Sequence, residues 1–202
     1  MGARLGDWLD FNAAMTLFAA LNTTRSVTAA PPAARAGALE AMVEQARATL
    51  TEAIRASTTP GARARIKWPQ PAPESPVESA ADYAPYHRFY LAQQREMETR
   101  IGVLRATVRE ALAADEPAMQ HVAALDAAFD KALGQRERSL LAKVPLLLEK
   151  RFAQLRAAHP ASGGLEIFAR EMQGVLLAEL ETRLQPVAGL IETLSNKEAE
   201  QQ

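Results

Sequence analysis

Residues 165–194 read LEIFAREMQGVLLAELETRLQPVAGLIETL. Phe168, Met172, Val175, Leu176, Leu180, Leu184, Val187, Ile191 and Leu194 recur at intervals of three and four, the period at which side chains share one face of an α-helix. Glu, Gln, Arg and Ala fill the positions between them, and these are strong helix formers. No alternation of period two runs through the stretch. It therefore predicts a long amphipathic helix, kinked near Pro186, whose apolar stripe must be covered by other helices.

The same pattern extends N-terminally. Residues 3–22 predict a first helix with Leu5, Trp8, Leu9, Met15, Phe18, Ala19 and Leu21 on its stripe and Asp7, Asp10 and Asn12 toward water. The β-branched run after it and Pro31-Pro32 end that helix, and a second is expected from Ala33 to Ser57 with Leu39, Met42, Val43, Ala46, Leu50, Ala53 and Ile54 on its stripe. A third, starting at Tyr83–Tyr86 and ending near Ala114, carries Tyr90, Gln94, Met97, Ile101, Leu104, Val108 and Ala111, a coiled-coil-like seam of about three heptads. Asp115-Glu116-Pro117 stops one helix and starts the next. That helix bears Met119, Val122, Leu125, Phe129, Leu133, Leu140, Leu141 and Val144 until Pro145 kinks or breaks it. Leu146, Leu147, Leu148, Phe152 and Leu155 resume the pattern, and the turn HPASGG (159–164) ends it.

The expected fold class is thus all-α, an elongated bundle of long amphipathic helices with a proline-rich linker. Its organisation is an N-terminal helical pair over 1–57, a linker over 58–82, a main helical domain over 83–195 and a polar tail over 196–202. Pro60, Pro69, Pro71, Pro73 and Pro76 make the linker extended and disordered by composition. The basic stretch Arg63–Trp68 admits a second reading, a segment that docks on a partner.

Bulk composition narrows the chemistry. With 23 Lys+Arg against 24 Asp+Glu in 202 residues, the net charge of −1 argues against a strongly basic nucleic-acid binder. The absence of cysteine excludes disulfides and thiolate metal sites. No run of 18 apolar residues spans a bilayer, and the start lacks the pattern of a signal peptide, so direct membrane insertion is not expected and a soluble protein is.

No catalytic signature emerges. His87, His121 and His159 lie on separate elements, and none sits at metal-ligand spacing from another His or a carboxylate. Glu96/Glu98 and Glu179/Glu181 are spaced by two and diverge on a helix. Ser162-Gly163-Gly164 precedes a helix without the lysine or strand of a phosphate loop. The expectation is a protein without catalytic residues, cofactor or metal. A metal-dependent nuclease would need carboxylates that converge only in three dimensions. Charge is uneven: Ala84–Pro160 holds 12 Lys+Arg against 9 Asp+Glu, and residues 161 onward 3 against 7. Arg136, Arg138, Lys143, Lys150, Arg151 and Arg156 form the candidate interaction patch, either an ordinary solvated face or a surface for phosphate backbone or an acidic partner.

Four stretches carry a resemblance: RLGDWLDFNAAMTLFAALN, YAPYHRFYLAQQREMETRIGVLRATVREAL, LDAAFDKALGQRERSLLAKVPLLLEKRFAQLR and EMQGVLLAELETRLQPVAGLIETL. Together they resemble a proteobacterial helical family of unknown function, found as an accessory protein of type III Zorya anti-phage defence systems beside a stator-like proton channel and an OmpA-like protein. The resemblance implies a non-enzymatic, cytoplasmic accessory component whose partners are other defence-system proteins, namely the second accessory protein and the membrane proton-channel motor. DNA and a further copy of the chain remain open as partners. Members carry an additional helical segment before the RLGDWL-like stretch, which implies an alternative start or a truncation here. The family brings no established catalytic residues. A self-assembling structural adaptor, built on the seam of residues 90–111 and the stripe of 165–194, is the rival reading.

Overall fold

A computed structural model of the protein describes residues 33–59, 61–70, 82–114, 117–159 and 164–200. The expected helix over 3–22 and part of the proline-rich stretch lie outside these residues. Five helices are described: α1 Ala33–Thr58, α2 Ala84–Ala113, α3 Pro117–Leu141, α4 Val144–Ala158 and α5 Gly164–Glu200. There is no strand among the described residues.

The chain forms two compact units. In the first, the described residues among 33–45 pack with those among 102–141 and 184–200. Its core is Leu39 and Val43 of α1, Leu104, Val108 and Leu112 of α2, Met119 and Ala123 of α3, and Leu184, Val187, Ile191 and Leu194 of α5. In the second, residues 46–101 pack with 142–183. There Leu50 and Ile54 of α1 join Tyr86, Phe89, Tyr90, Met97 and Ile101 of α2, Leu148, Phe152 and Leu155 of α4, and Phe168, Met172, Leu176 and Leu180 of α5.

Most of the α5 stripe is withdrawn from water: Phe168, Met172, Leu176, Leu180, Leu184 and Val187 are each 0% exposed, and Val175 is half-buried. At about 1.5–3 kcal/mol for each large apolar side chain, this helix anchors both cores. Burial of that order offsets the backbone hydrogen bond lost at Pro186, and α5 runs on through the proline. It also continues past Leu194 into the stretch expected to be a polar tail.

Pro145 acts differently. α3 ends at Leu141 and α4 starts two residues before Leu146, with Pro145 in its first turn, where the missing N–H is no loss. The start of α5 lies close against the end of α4, which suits a residue without a side chain: a Cβ at Gly164 would lie 3.0 Å from the Leu155 carbonyl oxygen. At the end of α1 the backbone reverses at Gly61, φ +77°, a left-handed conformation that glycine adopts without cost.

Residues 61–70, within the stretch read as linker, fold back. The Trp68 N–H donates to the Ser57 carbonyl at 2.9 Å, and its indole packs on Tyr86 and Phe89 at ring-centre distances of 5.0 and 5.2 Å. Proline content excludes helix here, but it does not prevent an extended segment from being anchored by one large aromatic.

α3 departs from its expected orientation. The stripe Val122, Leu125, Phe129, Leu133 and Leu140 was expected to face the core; none of these is buried. Of the expected stripe Met119 alone is buried, together with Ala123, Ala128 and Gly134, which the pattern does not place there. The cause is electrostatic. Arg105 of α2 donates through Nε and Nη2 to both oxygens of Asp126, at 2.9 and 2.6 Å, and through Nη1 to Asp130 at 2.9 Å. Arg109 adds a bond to Asp130 at 3.1 Å. A bidentate arginine–carboxylate pair is among the stronger polar contacts available, and this one turns the Ala/Asp/Gly face of α3 onto α2.

Candidate interaction site

A depression in the second unit lies where the start of α2 meets α4. Local chemistry sets up the α2 end: the Asp82 carboxylate accepts from the Ala84 N–H at 2.9 Å, and the Tyr83 carbonyl accepts from the N–H groups of Tyr86 and His87, each at 3.0 Å. These contacts satisfy amides that a helix start leaves open. The Tyr83 hydroxyl then donates to the Pro145 carbonyl at 2.8 Å, pinning the first turn of α4.

Between them is a groove of about 610 Å³. Its floor is Tyr83 and Phe152, and one wall is the α4 face carrying Leu146, Glu149, Ala153 and Arg156. Asp82 and His87 stand on the α2 side. Behind the floor, Phe152 and Phe168 meet nearly edge to face at 5.1 Å, and Tyr86 meets Phe168 at 5.7 Å and 86°. Such pairs favour a fixed ring geometry, so the floor is rigid. Burial, with the Glu149 carboxylate adding to it, pushes the Tyr83 hydroxyl up to about 12, so it stays a neutral donor at physiological pH. Burial also raises Tyr86, against the opposing charge of Arg156. Leu146, 58% exposed, stands at the mouth. A rigid apolar floor, an exposed leucine and a rim of both charge signs suit the side chains of a partner segment.

The six basic residues singled out in the sequence do not gather in one unit. Arg136 and Arg138 lie on α3 in the first; Lys143, Lys150, Arg151 and Arg156 belong to the second. Even along α4, Arg156 faces the groove, whereas Arg151 is tied to Glu171 by two bonds of 2.7 and 2.6 Å. That pairing holds Glu171 below the usual carboxylate range and Arg151 above its own. The faces needed for the self-assembly reading are also occupied: Tyr90, Met97, Ile101, Leu104 and Val108 are buried inside the chain, as is the α5 stripe.

Sequence reasoning missed a buried polar cluster. Glu179 lies in the core of the second unit, where its carboxylate accepts from the Tyr90 hydroxyl at 2.6 Å, the Gln94 side-chain amide at 3.0 Å and the Arg183 Nε at 2.9 Å. With its oxygens so engaged, Glu179 serves as a structural cross-link. Its signal was present: position 179 falls inside the stripe of α5, four residues before Arg183, and Gln94 sits in the seam of α2. Among the described residues, no three His, Asp or Glu side chains are grouped to hold a metal ion.

A family model described as "Protein of unknown function (DUF3348)" matches residues 1–196. The chain belongs to the DUF3348 family. The match includes all four stretches that carried the resemblance, together with every groove residue named above. No curated protein and no solved structure matches this DUF3348 chain. No helix among its described residues is long and apolar enough to cross a membrane.

Proposed function

We propose that this DUF3348 protein is a non-enzymatic accessory component that acts by contact in the cytoplasm, beside the membrane-bound proton-driven motor of a Zorya-like anti-phage defence system. The defence setting is supported by the resemblance of the four quoted stretches. The contact role is supported by one observation above the others: a rigid aromatic floor with an exposed leucine at its mouth, in a chain whose longest apolar stripes are already buried within it. Apolar anchors in such pockets carry most of the affinity of small protein interfaces, and the charged rim sets the partner's orientation.

The test is a binding titration of the purified full chain against the cytoplasmic part of the stator-like channel protein encoded beside it, paired with phage plating. Leu146→Asp is expected to weaken binding at least tenfold and to reduce protection, with helix content unchanged. Undiminished binding by that variant, or protection that survives deletion of the gene, overturns the reading.

A further inference from the structure

We infer that the outward face of α4 is a contact surface for an anionic lipid bilayer, on which the helix lies without crossing it. Lys143 at the N-cap, then Leu146, Leu147 and Lys150, follow one another at helical spacing. At about 100° per residue, all four fall within an arc of about 100°. The Lys143 carbonyl accepts from the N–H groups of Leu146 and Leu147 at 3.2 and 3.3 Å, closing the turn that presents the two leucines. Leu146 is 58% and Leu147 62% exposed, whereas Leu148, Phe152 and Leu155 on the opposite side of the helix are buried. Gln154 and Ala157, both exposed, continue the same arc toward the end of α4. No acidic residue of α4 falls within it, because Glu149 lies toward the groove.

Charge and shape select the occupant. Lys143 and Lys150 are exposed, and neither forms an ion pair among the described residues; Arg151, at the edge of the arc, is held by Glu171. A face that is cationic and apolar, without an acid, complements negative headgroups above an acyl boundary. Leu147 stands on the convex side of the helix, outside the groove that Leu146 borders. A protein partner needs a pocket shaped to such a side chain, whereas a bilayer needs only to be penetrable. The leucines enter the acyl boundary while the long lysine stems keep their ammonium groups at the level of the phosphates. This contact goes beyond the groove reading and does not rest on it.

The test is co-sedimentation of the full chain with phosphatidylcholine vesicles, with and without phosphatidylglycerol. Binding is expected with phosphatidylglycerol only, and it should weaken as salt is raised. Reversing both lysines, as Lys143→Glu with Lys150→Glu, should reduce it at least about tenfold. Leu147→Ser should reduce it about fivefold at unchanged charge. Circular dichroism checks that the helices are intact. None of these three residues lines the groove, so both variants should bind a groove partner as the parent chain does, which separates this test from that of the groove. Equal binding to neutral vesicles, or full binding retained by either variant, overturns the inference. A chain that ignores every vesicle leaves the face to an acidic protein and overturns it too.

Discussion

The Tyr90 hydroxyl donates to the Glu179 carboxylate at 2.6 Å across 89 residues of sequence, joining α2 to α5 inside the core of the second unit. Arg183, one turn along α5, supplies the balancing charge, and its side chain and that of Glu179 are both withdrawn from water. A buried pair of this kind is costly to break from one side, because the surviving charge has no solvent.

Glu179→Ala is therefore expected to destabilise the chain by about 3–5 kcal/mol, because it removes the shared acceptor of Tyr90, Gln94 and Arg183. Tyr90→Phe, which removes one donor and keeps the packing, should cost about 1.5–3 kcal/mol. Replacing the pair together, as Glu179→Leu with Arg183→Met, should cost less than Glu179→Ala alone. Urea unfolding of the three variants checks the order.

The glycines give a sharper contrast. Gly164→Ala places a methyl 3.0 Å from the Leu155 carbonyl oxygen and should destabilise by about 1–3 kcal/mol. Gly174→Ala, inside α5 with nothing within 4 Å of the new methyl, should stabilise by about 1 kcal/mol. Thermal melts of the two variants should move in opposite directions.

All three tyrosines of the chain, Tyr83, Tyr86 and Tyr90, have hydroxyls raised by burial. For Tyr83 the folded value is about 12 against 10 in the unfolded chain, so its share of stability is complete below pH 10 and disappears as pH rises toward 12. Phenolate absorbance should thus stay low at pH 10, where free tyrosine is half ionised. It should rise together with loss of helix at higher pH. Tyr83→Phe should leave stability nearly independent of pH in the part of that window due to this residue.

In the first unit, Arg105→Ala removes three hydrogen bonds to Asp126 and Asp130 and is expected to cost about 2 kcal/mol. Because the two aspartates then keep only the Arg109 guanidinium on α2, hydrogen exchange in α3 should rise more than in α5. Equal change in both helices would show that the ion pairs do not orient α3.

Helix positions were legible because prolines and apolar spacing act locally. Pro117 and Pro145 each sit in a first turn, and the seam of α2 from Tyr90 to Val108 is buried as its spacing required. What was not legible depends on pairing across the chain. The face that α3 presents is decided by Arg105 and Arg109, which lie on another helix, and the apolar pattern of α3 alone points the other way. Trp68 is anchored by rings as distant as Phe168, which no local rule reveals. The groove has the same character: YAPYHRFY (83–90) shows its aromatics in plain order, but Phe152, with which Tyr83 forms its floor, comes from beyond two turns of the chain.

In the proposed role, this protein works by holding a partner against the groove between α2 and α4. Hydrogen exchange of the full chain, alone and saturated with the cytoplasmic part of a stator-like channel protein, the proposed partner, decides whether it does. Slowed exchange centred on residues 82–87 and 145–156, and absent in Leu146→Asp, is the predicted result. Protection confined to other segments, or none at saturation, would contradict it.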